Sequence, residues 1–432
     1  MVNRKIIQST IDYIEENLKA EILVEELSEM AGFSMYYYCR VFHGIVGMSV
    51  NRYILRRKLL HAIYEIGLGD KMIDVALAYG FETYAGFYKA FVREFGYPPA
   101  KYLQLHNKRK PYKIDVMREK TAMMSHKKLA EVLENWGLEK EHISDVFYGE
   151  TGNVSDSAWY VGEEYVLKRV LDLDKAKKHM EITKAMQGEE LLVAVPLKTK
   201  QGEDYWTEAD NHFYVTKRIE GNPIRVKALY EESGNEIARK IGEAIGHLDM
   251  ALLNVDASVD DVNMLETVIN WALPTLKEKM EISEEVICGY ESAFNSIYPK
   301  LQKQIIHRDP NPSNIIVTEE KWGFIDFELS ERNIRVFDPC YAATAILSES
   351  FEEGNEEKMQ KWLGIYRNIL QGYDKVAVLT EEEKSIIPYV ILSNQLIATA
   401  WFSESEKYQE LYRINRNMTS WIVDHFAELA SN

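Results

Sequence analysis

The sequence has few cysteines and no long apolar run, and each absence excludes a class of protein. Cys39, Cys288 and Cys340 are an odd number without paired spacing, which predicts neither a disulfide framework nor a zinc site. The longest apolar stretch, around Leu191 to Leu197, is far too short to span a bilayer. The N-terminus lacks the apolar core of a signal peptide, so we expect a cytoplasmic protein with no membrane partner.

Positive charge is also scarce, but it is unevenly distributed. The 432 residues carry a formal net charge of −17. Residues 1–120 contain 18 Lys and Arg against 14 Asp and Glu, a net charge of +4, which leaves −21 for residues 121–432. Because an acidic surface repels DNA phosphates, only the N-terminal part is a candidate for binding double-stranded DNA.

The first hundred residues contain two copies of one helical unit, at a spacing of 48 or 49 residues. The matched positions include Gly32 with Gly80, Tyr38 with Phe87, Arg40 with Lys89, Phe42 with Phe91 and Tyr53 with Tyr102. Each copy predicts a short helix, a glycine turn and a second helix, which is the order of a helix-turn-helix unit. The predicted helices cover residues 24–31 and 35–45 in the first copy, and 72–79 and 83–95 in the second.

The second helix of each copy has a predicted inner face and a predicted outer face. Aromatic residues four positions apart point to a core, whereas Arg40 and Lys89 lie about 200° around their helices and face outward. Basic side chains at equivalent outward positions suit contacts in a DNA major groove. A helix over residues 50–66 joins the copies, and we count its basic residues toward DNA binding as well. These residues are Arg52, Arg56, Arg57 and Lys58.

The second copy has the more specific pattern: Ile73-Asp74-Val75-Ala76, Tyr79-Gly80-Phe81, Phe87, Phe91, Phe95-Gly96, Pro99 and Tyr102. With this pattern, residues 3–105 resemble the DNA-binding domain of AraC-type transcription regulators. The segment departs from that family at Leu103, where Arg is usual, and at Ala85 and Gly86. The resemblance implies groove-facing residues in both copies: Tyr36, Cys39 and Arg40, then Tyr84, Ala85, Tyr88 and Lys89.

A second set of motifs lies in the acidic part, where His307, Arg308 and Asp309 precede Asn314 by a few residues. Asp309 is suited to accept or orient the proton of an attacking hydroxyl. Asn314 and Asp326 would supply hard oxygen ligands to Mg²⁺. Apolar residues at 315–317 and 323–325 predict a hairpin that returns Asp326 to the same point. This arrangement indicates transfer of a phosphoryl group from a nucleotide.

Residues 140–222 carry the features expected of a nucleotide-binding lobe. Gly149 and Gly152 lie in a turn between predicted strands, where backbone N–H groups can approach phosphates. Lys168 ends the second predicted strand after this turn, Tyr165-Val166-Leu167-Lys168, and Glu181 lies on the next helix, over residues 175–186, where it is placed to pair with Lys168. A strand over residues 213–219 predicts the hinge that hydrogen-bonds adenine, with Thr216 and Arg218 as its nucleotide-binding residues.

Residues of about 140–425 resemble the aminoglycoside phosphotransferase and choline kinase family. The resemblance rests on His307-x-Asp309-x4-Asn314, on Ile325-Asp326-Phe327-Glu328 and on Phe337-Asp338-Pro339. It implies ATP or GTP as donor, Mg²⁺, a small-molecule substrate, and an acceptor pocket lined by C-terminal helices. The helix over residues 391–402, with Asn394, Gln395 and Trp401, is the candidate wall. Position 308 departs from the family, because Arg replaces a common Gly.

Together these motifs predict a multidomain chain with an all-α tandem helix-turn-helix domain followed by a two-lobed α+β protein-kinase-like domain. We place the DNA-binding domain at residues 1–107, a Lys- and Arg-rich linker at 108–126 and the kinase-like domain at 127–432. Its N-lobe covers about 140–222 and its C-lobe about 223–432.

The leading hypothesis is a transcription regulator fused to a small-molecule phosphotransferase. A second hypothesis keeps DNA binding but makes the kinase-like part a nucleotide or metabolite sensor without turnover. A third treats the N-terminal helices as an assembly element only. The oligomeric state stays open.

Overall fold

The computed structural model describes residues 2–95, 98–105, 111, 116, 124, 126–147, 154–188, 191–208, 211–280, 282, 284–318, 321–404 and 408–430. The chain divides into two compact units. The first unit comprises residues 1–173 and 196–218, and the second comprises 174–195 and 219–432. The N-terminal helices therefore share one unit with the first strands of the kinase-like part.

Seven helices form the N-terminal part of the first unit, among the residues described there. They are α1 (Val2–Glu16), α2 (Val24–Met30), α3 (Met35–Val46), α4 (Val50–Leu68), α5 (Met72–Ala78), α6 (Tyr84–Phe95) and α7 (Pro99–Leu105). The predicted helix pairs are confirmed as α2 with α3 and α5 with α6. The turns between them place Gly32 and Gly80 at φ of 66° and 84°, a region that glycine enters without a steric cost.

The inner faces of α3 and α6 build the core of this part. Tyr38, Phe42, Phe87 and Phe91 are all 0% exposed, and they pack in one apolar cluster with residues of α1 and α4. Burying an aromatic or large aliphatic side chain stabilises a fold by roughly 1.5–3 kcal/mol. The repeated aromatic pair is therefore a packing device, and it leaves the opposite faces of α3 and α6 outward.

An antiparallel sheet follows in the first unit, in the strand order β1-β2-β3-β6-β5. The elements in this region are α8 (His126–Leu133), β1 (Ile143–Phe147), β2 (Val154–Val161), β3 (Tyr165–Val170), α9 (Leu173–Ala185), β4 (Leu192–Val193), β5 (Trp206–Glu208) and β6 (Asn211–Lys217). Helix α9 from Asp174 onward and strand β4 belong to the second unit. The pairing of β1 with β2 is irregular between Asp145 and Phe147, as in a β-bulge.

The second unit contains two small sheets and most of the helices. One sheet has the order β4-β11-β10-β7 and the other β8-β12-β9. The further elements are β7 (Asn222–Pro223), α10 (Val226–Leu229), α11 (Gly234–Leu252), β8 (Asp260–Asp261), α12 (Met264–Thr267), α13 (Leu273–Leu276), α14 (Glu284–Ile297), β9 (Lys303–Ile306), β10 (Ile315–Val317), β11 (Trp322–Phe324), β12 (Glu331–Ile334), α15 (Phe337–Ser350), α16 (Glu356–Val376), α17 (Glu381–Ser403), α18 (Gln409–Asp424) and α19 (Phe426–Ala430). The predicted hairpin before Asp326 is confirmed as β10 and β11.

Close backbone packing holds the centre of the second unit. A Cβ atom added at Gly242 of α11 would lie 1.9 Å from the backbone oxygen of Ile369, and one added at Gly372 of α16 would lie 1.9 Å from that of Arg239. Only glycine permits this approach of α11 to α16. Helix α17 is long and apolar enough to cross a membrane, but 67% of its most apolar 18-residue stretch is buried inside the protein, as in a core helix.

Candidate functional site

The loop after β9, residues 307–314, is called the catalytic loop below. Asp309 is half-buried and Asn314 is 7% exposed. The Asn314 Nδ2 donates to Asp309 Oδ2 at 3.1 Å and to the Asp309 backbone oxygen at 2.9 Å. The Asn311 Nδ2 donates to Asp309 Oδ1 at 2.9 Å. These hydrogen bonds fix the direction of the carboxylate, which a group that receives a proton from a substrate hydroxyl requires.

His307 is a structural member of this loop. It is 0% exposed, and burial lowers its pKa, so the ring is neutral. Its Nδ1 accepts a hydrogen bond from the Asp309 backbone N–H at 3.3 Å, which leaves the proton on Nε2, and Nε2 donates to the Ile325 backbone oxygen at 2.9 Å. His307 therefore ties the catalytic loop to the residue that precedes Asp326.

Asp326 follows β11 with a left-handed backbone, φ 74° and ψ 56°. The Ile325 backbone N–H donates to the Asn314 backbone oxygen at 3.1 Å, so the end of the hairpin is hydrogen-bonded directly to the catalytic loop. Left-handed backbone costs a non-glycine residue roughly 1–2 kcal/mol. Such strain persists at functional residues where surrounding contacts hold the backbone in place, and the hydrogen bond from His307 to the Ile325 backbone oxygen is one such contact.

The donor set fits a magnesium ion that is held largely by nucleotide phosphates. Both hydrogen bonds that Asn314 donates go to Asp309, which leaves its carbonyl Oδ1 as the atom of this side chain that could ligate a metal, and the Asp326 carboxylate is a second oxygen donor. Mg²⁺ is usually held by one or two carboxylates together with substrate phosphates and water. In the described part of the chain, no group of three or more His, Cys, Asp or Glu side chains forms a self-sufficient metal cage.

A buried carboxyl pair, which the sequence did not single out as functional, supports the catalytic loop. Asp338 at the start of α15 is 0% exposed and accepts hydrogen bonds from the backbone N–H groups of His307 at 2.8 Å and Arg308 at 2.9 Å. Asp249 of α11 is 1% exposed and accepts from the Tyr373 hydroxyl at 2.7 Å. Its other oxygen, Oδ1, has no donor among the described groups, since it faces Asp338.

Two adjoining buried carboxyls require a proton. Burial raises the pKa of Asp338 from 3.8 to about 7, and burial together with the charge of Asp338 raises the pKa of Asp249 well above its ordinary value. Because Asp338 already accepts two backbone N–H groups, the shared proton lies on Asp249. The pair thus holds the backbone on the N-terminal side of Asp309.

Arg308 occupies a backbone conformation that suits glycine. Its φ is 77°, and Arg308 and Asp326 are the two non-glycine residues with positive φ in the described part of the chain. The guanidinium lies 4.9 Å from the centroid of the Phe337 ring and 3.3 Å from Glu331 Oε2. These side-chain contacts offset the backbone strain next to Asp309.

Five of the seven predicted groove-facing residues are exposed on the two reading helices, α3 and α6, while Cys39 and Tyr84 pack partly against the core. Tyr36 is 79% exposed and Arg40 is also exposed, whereas Cys39 is half-buried. In α6, Ala85, Tyr88 and Lys89 are exposed and Tyr84 is half-buried. The Arg40 guanidinium lies 5.2 Å from the Tyr37 ring, which leaves its charge at the surface.

Two of the four basic residues of α4, Arg56 and Arg57, are buried and are not available to DNA in the way the sequence suggested. Arg57 is 3% exposed and donates to both Glu15 oxygens at 2.6 and 2.8 Å. Although burial favours the neutral acid, hydrogen bonds from His61 and Arg57 lower the pKa of Glu15 to about 2. Lys58 donates to the Ala20 backbone oxygen at 3.0 Å. Arg56 is 6% exposed and is likewise paired with a carboxylate, so counting Arg56 and Arg57 toward DNA binding was wrong, whereas Arg52 and Lys58 are half-buried and stay candidates.

Family models match both halves of the chain. The phosphotransferase enzyme family matches residues 151–379, which is more than half of the 432 residues. The chain belongs to that family. A helix-turn-helix domain model matches residues 27–105.

Curated relatives of the N-terminal part are transcription regulators. The transcriptional activator AarP of Providencia stuartii is 33% identical over 98 residues, 22% of this chain and 73% of AarP. The multiple antibiotic resistance protein MarA of Salmonella typhimurium is 32% identical over 97 residues, 22% of this chain and 76% of MarA. The uncharacterized regulator YbfP of Bacillus subtilis is 36% identical over 103 residues, 24% of this chain, and the chain spans 35% of its length. The N-terminal part belongs to the AraC-type helix-turn-helix family.

Solved structures with a similar fold are small-molecule kinases. A microcompartment-associated aminopropanol kinase aligns with a TM-score of 0.51 and 12% identity, covering 71% of this chain and 98% of that kinase. An aminoglycoside phosphotransferase in complex with GDP and kanamycin aligns with a TM-score of 0.51 and 11% identity, covering 68% and 98%. These likenesses confirm the predicted kinase-like fold.

The nucleotide-binding residues predicted for the phosphotransferase part lie in both units. In the first unit, Lys168 of β3 lies opposite Ala158 and Tyr214 in the sheet. Thr216 is 4% exposed on β6, and the Arg218 backbone N–H donates to the Glu164 oxygen at 2.7 Å, so this N–H is already occupied. In the second unit, Glu181 accepts from the Ser258 N–H at 3.1 Å. Gly149 and Gly152 lie outside the described residues.

The candidate acceptor helix of the phosphotransferase part, α17, presents residues of different kinds. Asn394 is 6% exposed, and neither its Oδ1 nor its Nδ2 has a partner among the described groups. Gln395, in contrast, donates to Asn415 Oδ1 of α18 at 2.9 Å and is a packing residue. Trp401 is 51% exposed and stacks on Tyr408 with ring centroids 5.0 Å apart.

Proposed function

We propose that this protein is a cytoplasmic, DNA-binding transcription regulator joined to a phosphotransferase that uses ATP or GTP with Mg²⁺. Its acceptor is a hydroxyl or amino group of a small metabolite or antibiotic. The observation that carries the proposal is the catalytic loop, in which Asn314 and Asn311 orient Asp309 while His307 ties the loop to the residue before Asp326.

In this mechanism Asp309 acts on the acceptor. Its carboxylate, held by two amide donors, would accept a hydrogen bond from the attacking hydroxyl and take its proton as the new oxygen–phosphorus bond forms. The bond from the γ-phosphorus to the bridging oxygen breaks in the same step, and the nucleoside diphosphate leaves with that oxygen. Asn314 Oδ1 and the Asp326 carboxylate would hold Mg²⁺, which neutralises charge on the β- and γ-phosphates. Lys168 would contact the α- and β-phosphates, and Glu181 is kept as a further candidate for nucleotide binding.

A small molecule, rather than a protein, is supported as the acceptor. Similar folds are named as kinases of aminopropanol and of amicoumacin, the latter in complex with AMP-PNP and Ca²⁺. On α17, the exposed Trp401 ring and the unpartnered Asn394 amide provide one apolar surface and one polar group, which is the usual composition of a small-ligand pocket.

DNA binding is proposed for the N-terminal helices. The outward Tyr36 and Arg40 of α3, together with Tyr88 and Lys89 of α6, give each reading helix an aromatic and a basic contact. Relatives of this part are named as transcription regulators.

The decisive experiment measures transfer and binding in the same samples. Labelled ATP, Mg²⁺ and a library of amino alcohols, sugars and aminoglycosides are incubated with the intact protein and with Asp309→Ala. We expect transfer by the natural protein and its loss in the variant, with nucleotide binding retained. Asp256→Ala, at an exposed site in the same unit, is the matched control and should leave transfer unchanged. Transfer that survives Asp309→Ala would refute the assigned role, whereas binding without any transfer would support a sensor.

A further inference from the structure

In the first unit, a buried ion cluster joins the helices that we propose to bind DNA to the sheet β1-β2-β3-β6-β5. Arg56 of α4 donates from Nη1 to Glu94 Oε1 of α6 at 2.8 Å and from Nη2 to Asp145 Oδ2 of β1 at 3.3 Å. The three side chains are 7%, 7% and 2% exposed. The Arg56 guanidinium also lies 5.3 Å from the ring centroid of Phe95. The Arg56 guanidinium is thus shared between Glu94, 38 residues away in the sequence, and Asp145, 89 residues away.

A second arginine, Arg52, balances the charge of this ion cluster, and the His126 ring lies beside it. Arg52 Nε lies 3.4 Å from Glu94 Oε2, and His126 Nε2 lies 3.6 Å from Asp145 Oδ1. Ions removed from water in this way are tolerated only while each keeps its partner, because separating them leaves an uncompensated buried charge. A movement of β1 away from α6 would expose or unpair Arg56. The ion cluster therefore favours states in which β1, α4 and α6 move as one body.

The two ends of this body carry different functions in the proposed protein. Helix α6 ends in the turn that holds Glu94 and presents Tyr88 and Lys89 outward. Strand β1 pairs with β2, and β2 pairs with β3, which carries Lys168, the residue that we propose to contact phosphate. The register irregularity beside Asp145 is the kind of local distortion that re-aims a side chain out of a regular strand.

We propose that the Arg56–Glu94–Asp145 cluster couples the nucleotide site to the DNA-reading helix, so that nucleotide and DNA strengthen each other's binding. The inference rests on the proposed function, because it needs both ligands. Each ligand reduces the motion of a body that both ligands share, so the second ligand to bind causes a smaller loss of conformational entropy. Linkage requires the same factor in both directions, and couplings between sites typically lie at about 5- to 150-fold.

The test measures DNA affinity of the intact protein by fluorescence anisotropy with a labelled random-sequence duplex at low salt. Titrations are done with Mg²⁺ alone and with Mg²⁺ and AMP-PNP, at equal free Mg²⁺. We expect DNA binding to tighten by at least about fivefold when AMP-PNP is present, and AMP-PNP binding to tighten by the same factor when DNA is present. Equal affinities in both conditions overturn the inference while leaving the proposed function standing, whereas failure to bind AMP-PNP or DNA at all overturns both.

A variant and its control assign the coupling to the ion cluster. Asp145→Asn keeps the shape of the side chain but removes its charge, and we expect each ligand to bind singly while the coupling factor falls to about one. Glu208→Gln, on β5 of the same sheet, removes the ion pair with Lys128 of α8, outside the cluster, and should leave the coupling intact. Coupling that persists in Asp145→Asn overturns the assignment.

Hydrogen exchange on the natural protein gives a result that does not depend on the folding of a variant. AMP-PNP with Mg²⁺ should slow exchange of the backbone amides of Tyr84–Phe95 in α6, and Mg²⁺ alone should not. Unchanged exchange in α6 while AMP-PNP is bound overturns the inference.

Discussion

Asn314 and Asp309 are bonded twice, side chain to side chain at 3.1 Å and side chain to backbone at 2.9 Å. The residue proposed to hold the metal therefore also orients the residue proposed to receive the proton. An amide can do both, because its NH₂ donates while its carbonyl oxygen accepts or coordinates. A carboxylate at position 314 could not donate and would repel Asp309. The choice of Asn over Asp in this motif has a direct geometric reason.

Replacing Asp326 tests the metal site. Asp326→Asn keeps the size of the side chain but removes one negative charge from the proposed Mg²⁺ ligands. We expect the Mg²⁺ concentration required for half-maximal phosphoryl transfer to rise by at least about tenfold, with the fold intact. A Mg²⁺ titration of initial rates measures this shift. Asp256→Asn serves as control, and an unchanged Mg²⁺ requirement in Asp326→Asn would exclude the residue as a ligand.

Arg308 provides a test of backbone strain. Both Arg308→Ala and Arg308→Gly lose the contact with Glu331 and the ring of Phe337, but only glycine adopts φ of 77° without a Cβ clash. We expect Arg308→Gly to be more stable than Arg308→Ala by about 1 kcal/mol. Urea denaturation of the two variants measures the difference. Equal stabilities would mean that the left-handed backbone at this position stores no strain.

The Asp249–Asp338 pair predicts how stability depends on pH. In the folded protein, burial raises the pKa of Asp249 well above its ordinary value of 3.8 and that of Asp338 to about 7, so the pair retains protons that the same residues release near pH 3.8 in the unfolded chain. Raising the pH through that window therefore lowers the free energy of unfolding, by up to about 1.4 kcal/mol per pH unit for one retained proton. Asp249→Asn supplies a permanent donor to Asp338, so the decline between pH 4 and 7 should become shallower.

Denaturation curves at several pH values compare Asp249→Asn with the natural protein. The exposed Asp256→Asn is the control, and its pH dependence should match that of the natural protein. If Asp249→Asn keeps the same slope, the pair does not hold a proton in the folded state.

The outward basic residues predict the salt dependence of DNA binding. Arg40→Ala and Lys89→Ala each remove one exposed positive charge from a reading helix. If each neutralises a phosphate, the slope of log affinity against log salt should become shallower by about 1 per variant. Anisotropy titrations at four salt concentrations give the slope. The control is Lys177→Ala, at an exposed position of α9 outside the helix-turn-helix part, and it should leave the salt slope unchanged. An unchanged slope in Arg40→Ala and Lys89→Ala would mean that these residues face away from DNA.

Much of the fold is local enough to be predicted from sequence. The aromatic pairs Tyr38/Phe42 and Phe87/Phe91 define helix faces at a spacing of four residues, and all four rings are buried as expected. The apolar residues at 315–317 and 323–325, just before Asp326, likewise predict their own hairpin. Side-chain partners of α4 were not predictable, because Arg56 and Arg57 pair with Glu94, Asp145 and Glu15, which lie 38 to 89 residues away.

The catalytic loop shows the same division. Asp309, Asn314 and Asp326 are recognisable by spacing within one short segment. The role of Asp249 is not recognisable in the sequence. Asp249 acts on the loop through Asp338, and the two residues come from separate helices, α11 and α15. No local pattern marks Asp249 as different from any other acidic residue on a helix.

Calorimetric titration of ATP into the intact protein, with and without Mg²⁺, tests the central claim most directly. The catalytic loop and Asp326 predict saturable ATP binding that strengthens with Mg²⁺, and weaker Mg²⁺ dependence in Asp326→Asn. ATP binding that is absent, or that is the same with Mg²⁺ removed, would contradict the account.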